Sequence, residues 1–177
     1  IQDDGLLLAG DNYIGFSLQE FLAKYQGDIF FAAYDLTDIE AAKQFGIVTT
    51  DNRYIGDEAL RMKIPNSVLP VCDFEEKPQN PKSTYASTGC YVLPKETFTS
   101  LIAFTKGHPD NIGGVLKHFL VEGRKMYFPV PAYSGADWFD IGSFEAYLAA
   151  TRAVVGQNIM CEEGAILSSE TTCGGSI

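Results

Sequence analysis

Hydrophobic positions in the first fifty residues fall into short unbroken runs separated by stretches of helical spacing. Gly5 to Ala9 reads Gly-Leu-Leu-Leu-Ala, and Ile29 to Tyr34 reads Ile-Phe-Phe-Ala-Ala-Tyr. Runs this short, without polar alternation, predict strands buried on both faces. Ser17 and Glu20 have capping-box spacing, and Leu18, Phe21, Leu22 and Tyr25 then share one helical face. Thr37 and Glu40 repeat the box before a short helix reaching Phe45, which Gly46 is expected to close with a positive φ. Ile47 to Thr50 predicts a third strand. This alternation predicts an α/β fold with a Rossmann-like, mostly parallel sheet and right-handed crossovers.

From Asp51 to Pro70 the pattern is poor and predicts an irregular excursion. Val71 to Phe74 and Cys90 to Leu93 predict strands. Pro94 suits a first helical turn, and Phe98, Leu101, Ile102 and Thr105 follow at helical spacing. Ile112, Val115, Leu116, Phe119 and Leu120 mark another helix, closed by Gly123. Lys125 to Pro131 predicts an edge strand, because Pro129 and Pro131 cannot donate to a ladder. After Asp137 to Gly142 a last helix carries Phe144, Tyr147, Leu148 and Val155. Beyond Gly156 the character changes. Ile159 and Ile177 lie 18 residues apart, three hexads, which predicts the start of a left-handed parallel β-helix over 156–177.

The net charge of −10 argues against nucleic acid as a standing partner, so an anionic substrate needs local cations or a metal. No apolar run approaches the roughly 20 residues of a membrane span. Cys72, Cys90, Cys161 and Cys173 show no metal spacing, which leaves buried reduced thiols or a disulfide, and a reducing cytoplasm is the expected setting.

Candidate chemistry sits at strand ends. Asp11 follows the first strand, and ligands of open α/β sheets gather beyond such ends. Asp137-Trp138-Phe139-Asp140 places two acids around aromatics that would hold Asp140 rigidly. Two carboxylates suit magnesium, which keeps several waters and binds substrate phosphates alongside one or two acids. Between them Phe74-Glu75-Glu76-Lys77-Pro78 offers an acid for sugar hydroxyls and a lysine for a phosphate.

Six stretches in order carry a resemblance: Ala9-Gly10-Asp11-Asn12, Ala42 to Val48, Phe74 to Pro78, Pro81-Lys82-Ser83, Ala86 to Tyr91, and Trp138 to Gly142. Together they resemble the sugar-1-phosphate nucleotidylyltransferases, particularly the glucose-1-phosphate thymidylyltransferase type. The resemblance implies a sheet of the nucleotide-diphospho-sugar transferase type over residues 1–155. It implies Mg2+ on Asp11 and Asp140, and catalysis by Asp11, Lys77 and Asp140. Gly46 would bring backbone close to the sugar, Glu76 would bind its hydroxyls, Lys77 its phosphate, and Thr88 and Gly89 would line its pocket. The implied partners are a sugar 1-phosphate and a nucleoside triphosphate, with no nucleic acid and no membrane. The family's glycine-rich triphosphate loop has no match in these residues, since Gly113-Gly114 comes too late and lacks an arginine. The chain therefore reads as the sugar-binding part of a catalytic domain. Its first strand is expected to be covered by a further N-terminal segment or by another copy of the chain, as in a homo-oligomer. A non-catalytic sugar-phosphate-binding relative and a metal-dependent glycosyltransferase are the competing readings.

Overall fold

The computed structural model describes residues 2–51, 68–108, 113–130 and 132–155. The expected β-helix coil over 156–177 and most of the irregular excursion lie outside the described residues. The strands are β1 (Gly5–Leu8), β2 (Asn12–Ile14), β3 (Ile29–Asp35), β4 (Gly46–Thr49), β5 (Val68–Pro70), β6 (Asp73–Glu76), β7 (Tyr85–Leu93), β8 (Met126–Pro129) and β9 (Trp138–Asp140). The helices are α1 (Leu18–Leu22), α2 (Phe98–Gly107), α3 (Val115–Val121) and α4 (Phe144–Val155).

A sheet in the order β5-β8-β3-β7-β4-β6 forms the centre, and β1 pairs with β7. The α/β, Rossmann-like class holds, but the sheet is mixed rather than mostly parallel. Strand β7 runs antiparallel to β1, β3 and β4, and among the described residues β3·β8 is the one parallel ladder. Strands β1, β3, β4 and β8 still share a direction, because each antiparallel neighbour reverses it. β8 lies between β5 and β3, so the predicted edge strand is internal.

Strand β3 shows why the core forms. Ile29, Phe31 and Ala33 point to one side, where Tyr91, Leu93, Leu101, Leu116 and Phe119 close a core under α2 and α3. Phe30 and Ala32 point to the other, against Phe21 of α1, Cys90 and Val92. Period-two alternation in a strand covered on both faces produces exactly such a continuous apolar run. Each large side chain buried this way contributes about 1.5–3 kcal/mol. β1 was expected to share this environment and does not: Leu7 packs on the core, but Leu6 and Leu8 remain 42% and 43% exposed.

Local signals hold unevenly. The Ser17 hydroxyl accepts the Glu20 amide at 3.2 Å and starts α1. Gly123 closes α3 at φ 76, with Arg124 N–H donating to Phe119 O at 3.0 Å. At Thr37 the expected cap fails. The residue itself takes φ 58, its hydroxyl donates to Leu36 O, and only a 3₁₀ turn forms at Ala41–Gln44. Nor is Gly46 a positive-φ stop; it opens β4.

Two features of β7 place the site. Its pairing with β3 jumps from Phe31↔Tyr91 to Ala33↔Ser87, so Thr88, Gly89 and Cys90 stand against the single residue Ala32 and form a bulge. Gly89 takes φ +73 there. On the other side of β7, β1 pairs up to Cys90 and β4 begins at Ala86. The two strands lie end to end, and the gap between them faces the bulge.

Candidate active site

The gap opens into a cleft of about 270 Å³. Asp11, Gly46, Glu76, Lys77, Thr88, Gly89 and Asp140, every residue singled out above as catalytic, substrate-binding or metal-binding, line it. They come from five separate stretches of chain, and each arrives by a local cause.

Asp11 follows β1 by way of Ala9, whose N–H donates to Gly89 O at 2.9 Å and ties the turn to the bulge. The chain then enters β2, which pairs antiparallel with β9 in the register Asn12↔Asp140 and Ile14↔Trp138. Ile141 N–H donates to Asp11 O at 2.8 Å. This two-stranded ribbon brings together carboxylates 129 positions apart in the sequence. Their proximity has an electrostatic signature: the Asp140 carboxyl is pushed above its ordinary range, first by burial and then by the negative charge of Asp11, while Lys77 opposes the rise.

Strand alternation in β6 separates its acids. Asp73 and Glu75 share a face and pair with Lys82 at 3.5 and 2.8 Å. Phe74 and Glu76 take the other face, so Glu76 is the acid in the cleft. Glu76 lies directly across from Gly46 in the β4·β6 ladder. A Cβ on Gly46 would stand 2.6 Å from the Phe74 ring and 3.0 Å from Glu76 Oε2. Close packing is therefore the reason for glycine at this position. Lys77 follows at φ 45, an unusual backbone for a residue with a side chain. Its N–H donates to Phe45 O at 3.0 Å, and buried Pro78 continues the turn. Among the described residues Lys77 forms no ion pair, unlike Lys43, Lys82 and Lys117.

Thr88 is almost fully buried, and its hydroxyl donates to Ala32 O at 2.9 Å, so it braces the bulge from within the cleft wall. Gly89 has a steric reason as well as a conformational one, since a Cβ there would come within 2.7 Å of Ala9 Cβ.

Other lining residues had no assigned role in the sequence. Gly113 comes too late in the chain for a phosphate loop, yet it belongs to the cleft: a Cβ on it would lie 2.9 Å from Glu76 Oε2. The glycine pair ahead of α3 was the available signal. Asn12 was only a motif neighbour of Asp11, and here it accepts the Trp138 indole N–H at 2.6 Å. Ser87 and Tyr91 complete the wall, joined by a Ser87 Oγ–H donation to Tyr91 Oη at 3.1 Å.

Asp11 also borders a second, more apolar groove of about 690 Å³ against α4, lined by Tyr13, Ile141, Tyr147, Ala150 and Val154. Among the described residues no group of three or more His, Cys, Asp or Glu is arranged to hold a metal. The two-acid set of Asp11 and Asp140 fits a divalent cation that takes its remaining ligands from water and phosphate.

A family model described as "Nucleotidyl transferase" matches residues 1–157. The chain belongs to the nucleotidyl transferase family. It is 27% identical over 161 residues to a glucose-1-phosphate adenylyltransferase of Thermomicrobium roseum (strain ATCC 27502 / DSM 5159 / P-2), covering 86% of this chain and 32% of that protein. A second glucose-1-phosphate adenylyltransferase, from Bacillus cytotoxicus, is 30% identical over 118 residues, 63% of this chain and 30% of that one. This nucleotidyl transferase chain thus spans about a third of the length of the curated relatives it matches. A solved structure from Bacillus anthracis, described as a glucose-1-phosphate thymidylyltransferase in complex with a sucrose, shares the fold. Its TM-score is 0.62 at 18% identity, over 91% of this chain and 57% of that one. No helix among the described residues is long and apolar enough to cross a membrane.

Proposed function

We propose that the cleft binds a sugar 1-phosphate and forms the sugar side of a nucleotidylyltransferase site. In the reaction, the sugar phosphate oxygen attacks the α-phosphorus of a nucleoside triphosphate in line, giving a nucleotide sugar and pyrophosphate. The observation that carries this reading is the convergence of Asp11, Glu76, Lys77 and Asp140 on one cleft, with the lysine ammonium outside any described ion pair. Glu76 accepts hydrogen bonds from sugar hydroxyls. Lys77 meets the sugar phosphate, and Gly46, Thr88 and Gly89 shape the wall against the ring. Asp11 and Asp140 hold Mg2+, which supplies charge neutralisation for the phosphates. Catalysis on this reading is mainly positioning and electrostatics.

Because these 177 residues contain no glycine-rich triphosphate loop, we assign the chain by itself sugar-phosphate binding without turnover. We further propose that the side of β1 left unpaired among the described residues, and the exposed Leu6 and Leu8, are covered by a further N-terminal segment or by a second copy of the chain. The setting we infer is cytoplasmic nucleotide-sugar synthesis. A pyrophosphate-release assay on the chain alone should read background, while light scattering should show self-association. Robust turnover by a monomer would refute this division of labour.

A further inference from the structure

We propose that Asn12 is a positioning residue that aims the Asp11 carboxylate, held in place by the indole of Trp138. This rests on the reading of Asp11 as a cation ligand.

An indole N–H can only donate. Trp138 Nε1 lies 2.6 Å from Asn12 Oδ1, so the Asn12 amide oxygen must face the indole. The amide nitrogen is thereby turned the other way, and Nδ2 donates to Asp11 Oδ1 at 2.8 Å. The relay has one direction: Trp138 fixes Asn12, and Asn12 occupies one oxygen of Asp11, so that a cation is left the other.

The ribbon geometry explains why the three side chains meet. Asn12 sits opposite Asp140, and Trp138 lies two residues before Asp140 on the same face. Asn12 and Trp138 are therefore diagonal neighbours, within reach of a long side chain. Trp138 cannot easily yield. It is 6% exposed and wedged between Tyr34 and Phe45, with ring centroids at 5.2 and 5.5 Å. Tyr34 is itself tied to the fold, since its Oη donates to Gly135 O at 3.0 Å. Partners that orient a metal ligand commonly change metal affinity by about tenfold or more when removed.

Trp138 is the single tryptophan of the chain, so the emission comes from this one side chain of the relay. The test uses the 177-residue chain with Mg2+ as an emission probe and Mn2+ as an affinity probe read by electron paramagnetic resonance. Wild type should show a saturable Mg2+-induced change in emission and saturable Mn2+ binding, both lost in Asp11→Asn. Asn12→Ala should bind Mn2+ about tenfold more weakly and lose the Mg2+-induced emission change. A purely structural Asn12 would leave that coupling intact. Trp138→Phe keeps a ring in the wedge but removes the donor, and should weaken Mn2+ binding in the same direction. It also serves as the second variant should Asn12→Ala not fold. If both variants bind Mn2+ within about twofold of wild type while Asp11→Asn does not, the relay is refuted and the cation reading stands. If Asp11→Asn itself leaves Mn2+ binding unchanged, the cation reading falls and the relay with it.

Discussion

Replacing Gly89 with alanine perturbs the candidate site without touching any charged group. Two costs add at this position. The first is conformational: Gly89 holds φ +73 inside β7, and a left-handed backbone costs an L-residue roughly 1–2 kcal/mol. The second is steric. The new methyl would lie 2.7 Å from Ala9 Cβ, well inside the ~3.5–4.0 Å at which carbon atoms rest. Ala9 Cβ is fixed to its backbone rather than being a flexible side-chain end, so backbone must move, at a further cost of about 1–3 kcal/mol. Together they predict a loss of about 2–5 kcal/mol, or a fall in Tm of about 4–20 °C for a chain of this size. Urea unfolding followed by far-UV circular dichroism should show a lower midpoint with an unchanged slope. The double variant Ala9→Gly/Gly89→Ala removes the clash and keeps the φ penalty, so it should recover part of the loss. A Gly89→Ala midpoint equivalent to less than about 0.5 kcal/mol of destabilisation, the range of an ordinary surface change, would refute the argument. So would full recovery in the double variant, because the φ penalty would then be nil.

Three other substitutions separate shape, charge and strain in the cleft. Lys77→Gly relieves a φ of 45 and should stabilise the fold by about 1 kcal/mol while weakening sugar 1-phosphate binding, read by thermal unfolding and calorimetry in parallel; a less stable glycine variant would contradict the strain. Gly113→Ala places a methyl 2.9 Å from Glu76 Oε2, at the movable end of a side chain, so it should cost less than about 1 kcal/mol of stability yet weaken sugar 1-phosphate binding by shifting that carboxylate. Asp140 has a raised folded-state pKa, so its ionisation opposes folding as pH rises through that value, and the opposition disappears below the ordinary carboxylate range. Asp140→Asn should therefore raise the Tm of the metal-free chain at pH 7, with a difference that shrinks as pH falls toward 4, followed by scanning fluorimetry. A gap independent of pH would contradict the electrostatic assignment.

The strand β3 was legible because burial on both faces leaves an unambiguous apolar run, and the fold class followed from it. The direction of β7 was not. Cys90 to Leu93 looks the same in sequence whichever way the strand runs, and antiparallel placement between β3 and β1 is set by tertiary packing. Exposure of Leu6 and Leu8 was illegible for a similar reason, since a run of three leucines does not say what covers each face. The cap expected at Thr37 failed because Asp35 accepts the Thr37 N–H at 3.0 Å and holds the backbone at φ 58, outside the helical region. In the site, the acids and the lysine were visible as motifs, whereas the supporting shell was not. Asn12 depends on Trp138, 126 positions away in sequence, and Gly113 depends on Glu76, 37 positions away. Such pairings exist only once the ribbon and the β4·β6 ladder have formed.

Lys77 and its neighbours are proposed to recognise a sugar 1-phosphate, and calorimetric titration of the chain with glucose 1-phosphate, beside glucose and the Lys77→Ala variant, is the decisive measurement. Glucose 1-phosphate should bind saturably and glucose much more weakly, and the alanine variant should lose about 2–3 kcal/mol, the size of a charge-assisted contact in a partly closed site. Equal binding by wild type and Lys77→Ala would contradict it.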